Sequence, residues 1–333
     1  MPAPSKELTI LIASYLEPDL VERIRAIDSR LTVLYEPDLL PRPRYPADHG
    51  GAPFERTPED EARWRGLLAR ADVLFDFDRS NAETLPELAP DLRWIQATSA
   101  GIGQYVHRLG YAERMPDTTL TTASGVHARP LAEFCLLAML AFSRGLFEML
   151  AGQRERHWTR FAGTDLEGRT LVVYGHGAIG TEVTRMARAL GMRTIGIKRS
   201  DDLHEALAEA EFLVLAAPHT PETEGAIGAD ELRALPAGAV VINVGRGALI
   251  DEPALVEALR SGHLGGAALD VFAEEPLPPE SPLWDMPNVL VSPHSASTSD
   301  RENARLVELF CDNLRRFLAG EPLANVLEPG RLY

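Results

Sequence analysis

Leu171-Val172-Val173-Tyr174-Gly175-His176-Gly177-Ala178-Ile179-Gly180 is the stretch on which the fold of this 333-residue chain turns. Four β-favouring apolar residues run directly into a G-x-G-x-x-G turn, and residues 181–190 then follow a helical pattern. A glycine triplet alone is a weak signal, but strand, turn and helix here occur in the order that phosphate binding requires. Gly175 permits a tight turn, Gly177 admits backbone close to a pyrophosphate, and Gly180 lets the helix pack against the strand. Ala178 and Ile179 open the helix, whose free N–H groups and partial positive charge face the phosphates. His176 is expected to face solvent.

Working outward, buried strand patterns recur at residues 194–197, 212–216, 239–243, 266–269 and 289–291, with helical spacing between them. Six strands with intervening helices are what a dinucleotide-binding domain needs. Before this series, residues 8–13, 73–77 and 92–97 read as strands and residues 17–29 as a helix. Residues 41–58 are rich in proline and glycine and read as a surface loop. Residues 301–318 form one amphipathic helix ended by Gly320. The chain is thus read as α/β with mainly parallel sheets.

Composition narrows the function. A formal net charge of −16 argues against nucleic acid and anionic membrane as partners, since both require a basic face. An anionic substrate would need its own local cation in so negative a field. No apolar run reaches the length of a membrane span, and the first seven residues lack the apolar region of a signal peptide. The expected location is cytoplasmic. The two cysteines, Cys135 and Cys311, lie in apolar helical patterns without nearby metal-ligand partners, and read as buried thiols; no metal site is expected.

The second strand of the cofactor series ends at Lys198-Arg199-Ser200. A carboxylate there would bind the ribose hydroxyls of NAD, whereas a lysine, an arginine and a hydroxyl suit a 2′-phosphate. NADP is therefore expected in preference to NAD. Three later segments place polar residues after buried strands: Asn243-Val244-Gly245-Arg246-Gly247, Asp270-Val271-Phe272-Ala273-Glu274-Glu275, and Ser292-Pro293-His294. Open α/β sheets put ligands at such strand ends.

Together with Pro218-His219-Thr220-Pro221-Glu222-Thr223, these segments resemble the D-isomer-specific 2-hydroxyacid dehydrogenase family. The likeness runs from about residue 94 to the C-terminus, and the first ninety residues match only in general pattern. It implies that Arg246 binds substrate, His294 is the acid/base and Glu275 is its partner, expected to be buried. It also implies cofactor contacts at Pro218 and Thr223, and Asp270 at the nicotinamide carboxamide. Ala100 and Gly101 match the loop whose N–H groups meet the substrate carboxylate. The implied architecture is a Rossmann-type doubly wound cofactor domain, residues 99–293, inserted in a flavodoxin-like substrate domain of residues 1–98 and 294–333. A closing cleft between them is implied, as is a homodimer built through residues 130–149.

The chemistry fits those roles. A 2-keto acid offers a carboxylate and an adjacent carbonyl, which an arginine can engage together. A histidine titrating near neutrality can protonate the developing alkoxide. The leading reading is reduction of glyoxylate, hydroxypyruvate or a similar short 2-keto acid. Alternatives are a dehydrogenase for a larger 2-hydroxy acid and, outside enzymes, a cofactor-sensing protein like the family's co-repressor relatives.

Overall fold

The computed structural model describes residues 7–197 and 203–328. The chain divides into two compact units, Met1–Val126 with Thr298–Tyr333, and His127–Ser297.

In the first unit, β1 (Leu8–Ile12), β2 (Leu31–Leu34), β3 (Val73–Phe75), β4 (Trp94–Gln96) and β5 (Thr119–Thr121) form a parallel sheet ordered β2-β1-β3-β4-β5. This is the flavodoxin-like order. Helices α1 (Pro18–Arg25), α2 (Pro58–Leu68), α3 (Leu85–Leu88), α4 (Gly103–Arg108) and α5 (Tyr111–Arg114) belong to it. So does the C-terminal helix, Glu302–Ala319. Alternate strand residues feed two cores. Leu11, Leu74 and Ile95 pack with Trp64 and Tyr111, while Ile10, Phe75 and Trp94 pack with Ile24 and Phe310. The C-terminal helix is held there by Trp94 stacking on Phe310 at 4.9 Å and by Asn313 Nδ2 donating to the buried Gln96 Oε1 at 3.1 Å.

The second unit contains α6 (Ala128–Ser143), α7 (Leu146–Glu155) and a six-stranded parallel sheet. Its strands are β6 (Thr170–Tyr174), β7 (Arg193–Ile197), β8 (Phe212–Leu215), β9 (Val240–Asn243), β10 (Gly266–Leu269) and β11 (Val289–Val291). Between them run α8 (Ala178–Ala189), α9 (Leu203–Leu207), α10 (Ala229–Ala234) and α11 (Glu252–Arg260). The order β11-β10-β9-β8-β6-β7 grows outward from β6 in both directions, as a doubly wound sheet does. Burial on both faces explains the near-continuous apolar strands. Leu171, Val173, Phe212 and Val214 meet α6 and α8, while Val172, Leu213 and Leu215 meet the opposite layer with Leu232 and Leu255.

Several expectations change. The domain boundaries lie at 126/127 and 297/298 rather than 98/99 and 293/294, so residues 99–126 and 294–297 belong to the unit opposite the one expected. The reason for the first shift is β5, which pairs with β4 through Trp94↔Thr119 and extends the first sheet. β2 and β5 escaped the sequence reading because both are short edge strands, β2 only half-buried and β5 threonine-rich. The expected helix at 17–29 stops at Arg25, because Asp28 Oδ1 accepts the Arg30 N–H at 2.9 Å and turns the chain into β2. No single described helix is long and apolar enough to cross a membrane.

Candidate active site

The register of the second sheet aligns its strand ends. Tyr174 pairs with Leu215, Leu215 with Asn243, Asn243 with Leu269, and Leu269 with Val291. Parallel strands then deliver their following residues to one edge, so Gly175, Pro218, Arg246, Asp270 and His294 all leave the sheet on the same side.

The glycine turn sits at the switch point between β6 and β8. Gly175 has φ +102°, and a Cβ there would lie 2.4 Å from Ala217 N, so the two strand ends touch through a residue without a side chain. A Cβ on Gly180 would lie 2.1 Å from Gly175 O, which is the close helix–strand packing the motif predicts. Gly177 precedes α8, and a Cβ there would meet nothing within 4 Å. The helical ladder begins with Thr181 N–H donating to Gly177 O at 2.9 Å, so the N–H groups of Ala178, Ile179 and Gly180 precede it. His176 is exposed, its ring lying against Gly196 of β7. After β8, Thr223 Oγ1 donates to Pro218 O at 2.7 Å and accepts the Thr220 N–H at 2.8 Å, closing the 218–223 turn. Lys198, Arg199 and Ser200 lie outside the described residues.

Arg246 is exposed on a turn whose shape is set by Asn243, which is 1% exposed. Asn243 Oδ1 accepts the Gly245 N–H at 3.0 Å, and its Nδ2 donates to Arg246 O at 2.9 Å. Arg246 Nη1 donates to Gly245 O at 2.7 Å. The next residue, Gly247, lies so close to the chain after β10 that a Cβ would fall 1.9 Å from the carbonyl of Phe272. The Arg246 turn is thereby pressed onto the segment that carries Glu275.

In that segment Glu275 Oε1 accepts the Phe272 N–H at 3.0 Å, and Glu275 Oε2 lies 2.7 Å from His294 Nδ1. One carboxylate thus ties the β10 turn to the histidine after β11. Glu275 is not buried as expected: its side chain is 35% exposed and that of His294 48%. The pair rests on a surface edge where the turns protrude beyond the sheet. His294 adopts φ +51°, a left-handed conformation that costs a non-glycine residue about 1–3 kcal/mol and persists where the surroundings enforce it.

Asp270 is 2% exposed, and burial pushes its carboxyl above the usual carboxylate range. Its Oδ1 accepts Ser292 Oγ–H at 2.5 Å, Ser295 N–H at 2.8 Å and Ala296 N–H at 2.9 Å. Asn243 and Ser292 were missed as contributors to the site. The register supplies the signal, since Leu269↔Val291 sets Asp270 beside Ser292 once the strand order is known. Ala100 and Gly101 are exposed in the first unit, after β4, where Ser99 O accepts the Ala123 N–H at 3.1 Å.

The family model described as "D-isomer specific 2-hydroxyacid dehydrogenase, NAD binding domain" matches residues 136–296. A glyoxylate reductase of Korarchaeum cryptofilum is 35% identical over 227 residues, covering 62% of this chain and 68% of that protein. A putative 2-hydroxyacid dehydrogenase of Haemophilus influenzae is 34% identical over 304 residues, covering 84% and 93%. A D-isomer specific 2-hydroxyacid dehydrogenase from Xanthobacter autotrophicus, solved in complex with NADPH and MES, superposes with a TM-score of 0.75. It is 29% identical, with 97% of this chain and 100% of that one covered.

Proposed function

The chain belongs to the D-isomer specific 2-hydroxyacid dehydrogenase family, and from that premise we propose that it reduces short 2-keto acids such as glyoxylate or hydroxypyruvate to D-2-hydroxy acids, preferring NADPH. The observation that carries the reading is the 2.7 Å contact between Glu275 Oε2 and His294 Nδ1. It supports a ring held through Nδ1 by the carboxylate, with Nε2 as the nitrogen that exchanges the proton.

The glycine turn fits a dinucleotide: open space at Gly177 and three leading N–H groups of α8 make a cradle for a pyrophosphate. Gly175, Ala178, Ile179, Gly180, Pro218, Thr223 and Asp270 complete the proposed cofactor contacts, with Lys198, Arg199 and Ser200 at the 2′-phosphate. When bound, the reduced nicotinamide supplies a hydride to the substrate carbonyl carbon. Arg246 binds the substrate carboxylate and the carbonyl oxygen, and concentrates positive charge where oxygen becomes negative. The N–H groups of Ala100 and Gly101 are a further proposed carboxylate contact. His294 gives its proton to the nascent alkoxide, and Glu275 stabilises the imidazolium before transfer.

The test is oxidation of NADPH and NADH against glyoxylate, hydroxypyruvate, pyruvate and phenylpyruvate. Turnover of the short acids with NADPH is expected; activity confined to phenylpyruvate would move the substrate to the larger class. Cofactor choice has its own test. Lys198→Asp with Arg199→Ala is expected to lower the NADPH/NADH ratio of kcat/KM by about tenfold or more, because it removes charge-assisted contacts to the phosphate. An unchanged ratio would place the discrimination elsewhere.

A homodimer is proposed through the α6–α7 region. Support comes from apolar side chains left exposed on it and just after it: Leu137, Leu140, Met149, Leu150 and Phe161, with Trp158 95% exposed.

A further inference from the structure

His294 sits in a left-handed backbone conformation uncommon for residues other than glycine, and the hydrogen bonds around it point to what holds it there. Donors from both flanks converge on a single oxygen. Two residues before it, Ser292 Oγ–H donates to Asp270 Oδ1; immediately after it, the N–H groups of Ser295 and Ala296 donate to the same atom. The His294 N–H folds back onto Ser292 O at 3.0 Å. For residues 292, 295 and 296 to reach one point, the chain must double back at 293–294, and φ +51° at His294 is the dihedral of that reversal. The acceptor is not a local turn residue. It comes from the neighbouring strand, where it is buried and its backbone N–H donates to Asn243 O at 3.0 Å.

We propose that Asp270 is a positioning residue, and that it and Ser292 form a clamp that enforces the left-handed turn at His294 and so sets the imidazole on Glu275. The role is separate from any contact Asp270 makes with a cofactor, and it rests on the reading of His294 as the acid/base. The clamp acts through acceptor geometry rather than through charge. An amide oxygen at position 270 keeps an acceptor where these donors converge, whereas a methyl keeps none. Ser292 supplies the one side-chain donor of the three, so its hydroxyl governs the flank before the histidine.

The clamp is tested first without catalysis. His294→Gly and His294→Ala are compared by urea unfolding, in the otherwise native chain and alongside Ser292→Ala. Glycine adopts φ +51° without steric cost whereas alanine adopts it only at a penalty, so His294→Gly is expected to have the higher midpoint while the clamp is intact. With Ser292→Ala the turn can relax, and the glycine advantage is expected to shrink or reverse. An undiminished advantage would overturn the proposal. The second measurement is kinetic. Ser292→Ala is expected to lower kcat about tenfold or more with KM for the reduced cofactor nearly unchanged, since a misplaced acid costs rate rather than cofactor affinity. Ser292→Thr should recover most of the loss. Asp270→Asn should keep far more kcat than Asp270→Ala; equal losses would show that charge matters and sink the clamp. If His294→Ala were as active as the native chain, the acid/base reading would fall, yet the unfolding comparison would still decide whether the clamp exists.

Discussion

His294→Ala is expected to lower kcat by about 10²- to 10⁴-fold while the dissociation constant of NADPH changes little. The large effect follows from chemistry: reduction of a carbonyl leaves an alkoxide, and without a positioned donor water must supply the proton. The small effect follows from placement. The proposed cofactor cradle is built from Gly175, Gly177 and the start of α8, on strands distant in order from β11, and His294 contributes nothing to it. Stopped-flow turnover and quenching of protein fluorescence by NADPH measure the two quantities separately. Glu275→Gln sharpens the result. It keeps an oxygen near Nδ1 but removes the charge that stabilises the imidazolium, so kcat is expected to fall while the dissociation constant of NADPH changes little. A His294→Ala enzyme with native-like kcat would remove the proposed proton donor outright.

Arg246→Ala is expected to reduce kcat/KM for the 2-keto acid by about 10²- to 10³-fold, because one group both binds the carboxylate and stabilises the developing oxyanion. Arg246→Lys should recover only part of this, since an ammonium keeps the charge but not the planar fork that engages two oxygens at once. The loss should fall on substrate rather than on fold. Arg246 is exposed, and the shape of its turn depends on Asn243 and Gly247 instead of on its own side chain. The unfolding midpoint should therefore stay near the native value in both variants. A loss of kcat/KM matched by a collapse in stability would show that Arg246 is structural. In a chain of net charge −16 the surroundings cannot replace this cation, which is a further reason to expect a large effect.

Much of this was legible in the residues themselves. The β6–turn–α8 unit appears where the glycine motif puts it, because a strand buried on both faces, a turn without side chains and an apolar helix face are each written locally. β10 and β11 have the expected limits, and the C-terminal helix begins and ends within one residue of those expected, capped by Gly320 at φ +71°. Arg246 and His294 were visible in polar segments that follow buried strands, and Glu275 was added by the family resemblance. What failed locally was weakly signalled: β2 and β5 are short edge strands whose pairing supplies what their own pattern does not.

The sequence alone determined the α/β class and the strand–glycine turn–helix unit, and the family resemblance supplied the proposed residues for proton transfer and carboxylate binding. Only the tertiary structure decided that the Glu275–His294 pair stands at an exposed edge, that Asn243 shapes the Arg246 turn, and that Asp270 and Ser292 meet across two strands. Local pattern tells a residue which face or end of its element it occupies. Which residues become neighbours across elements is set by strand order and register, and those are properties of the assembled sheet.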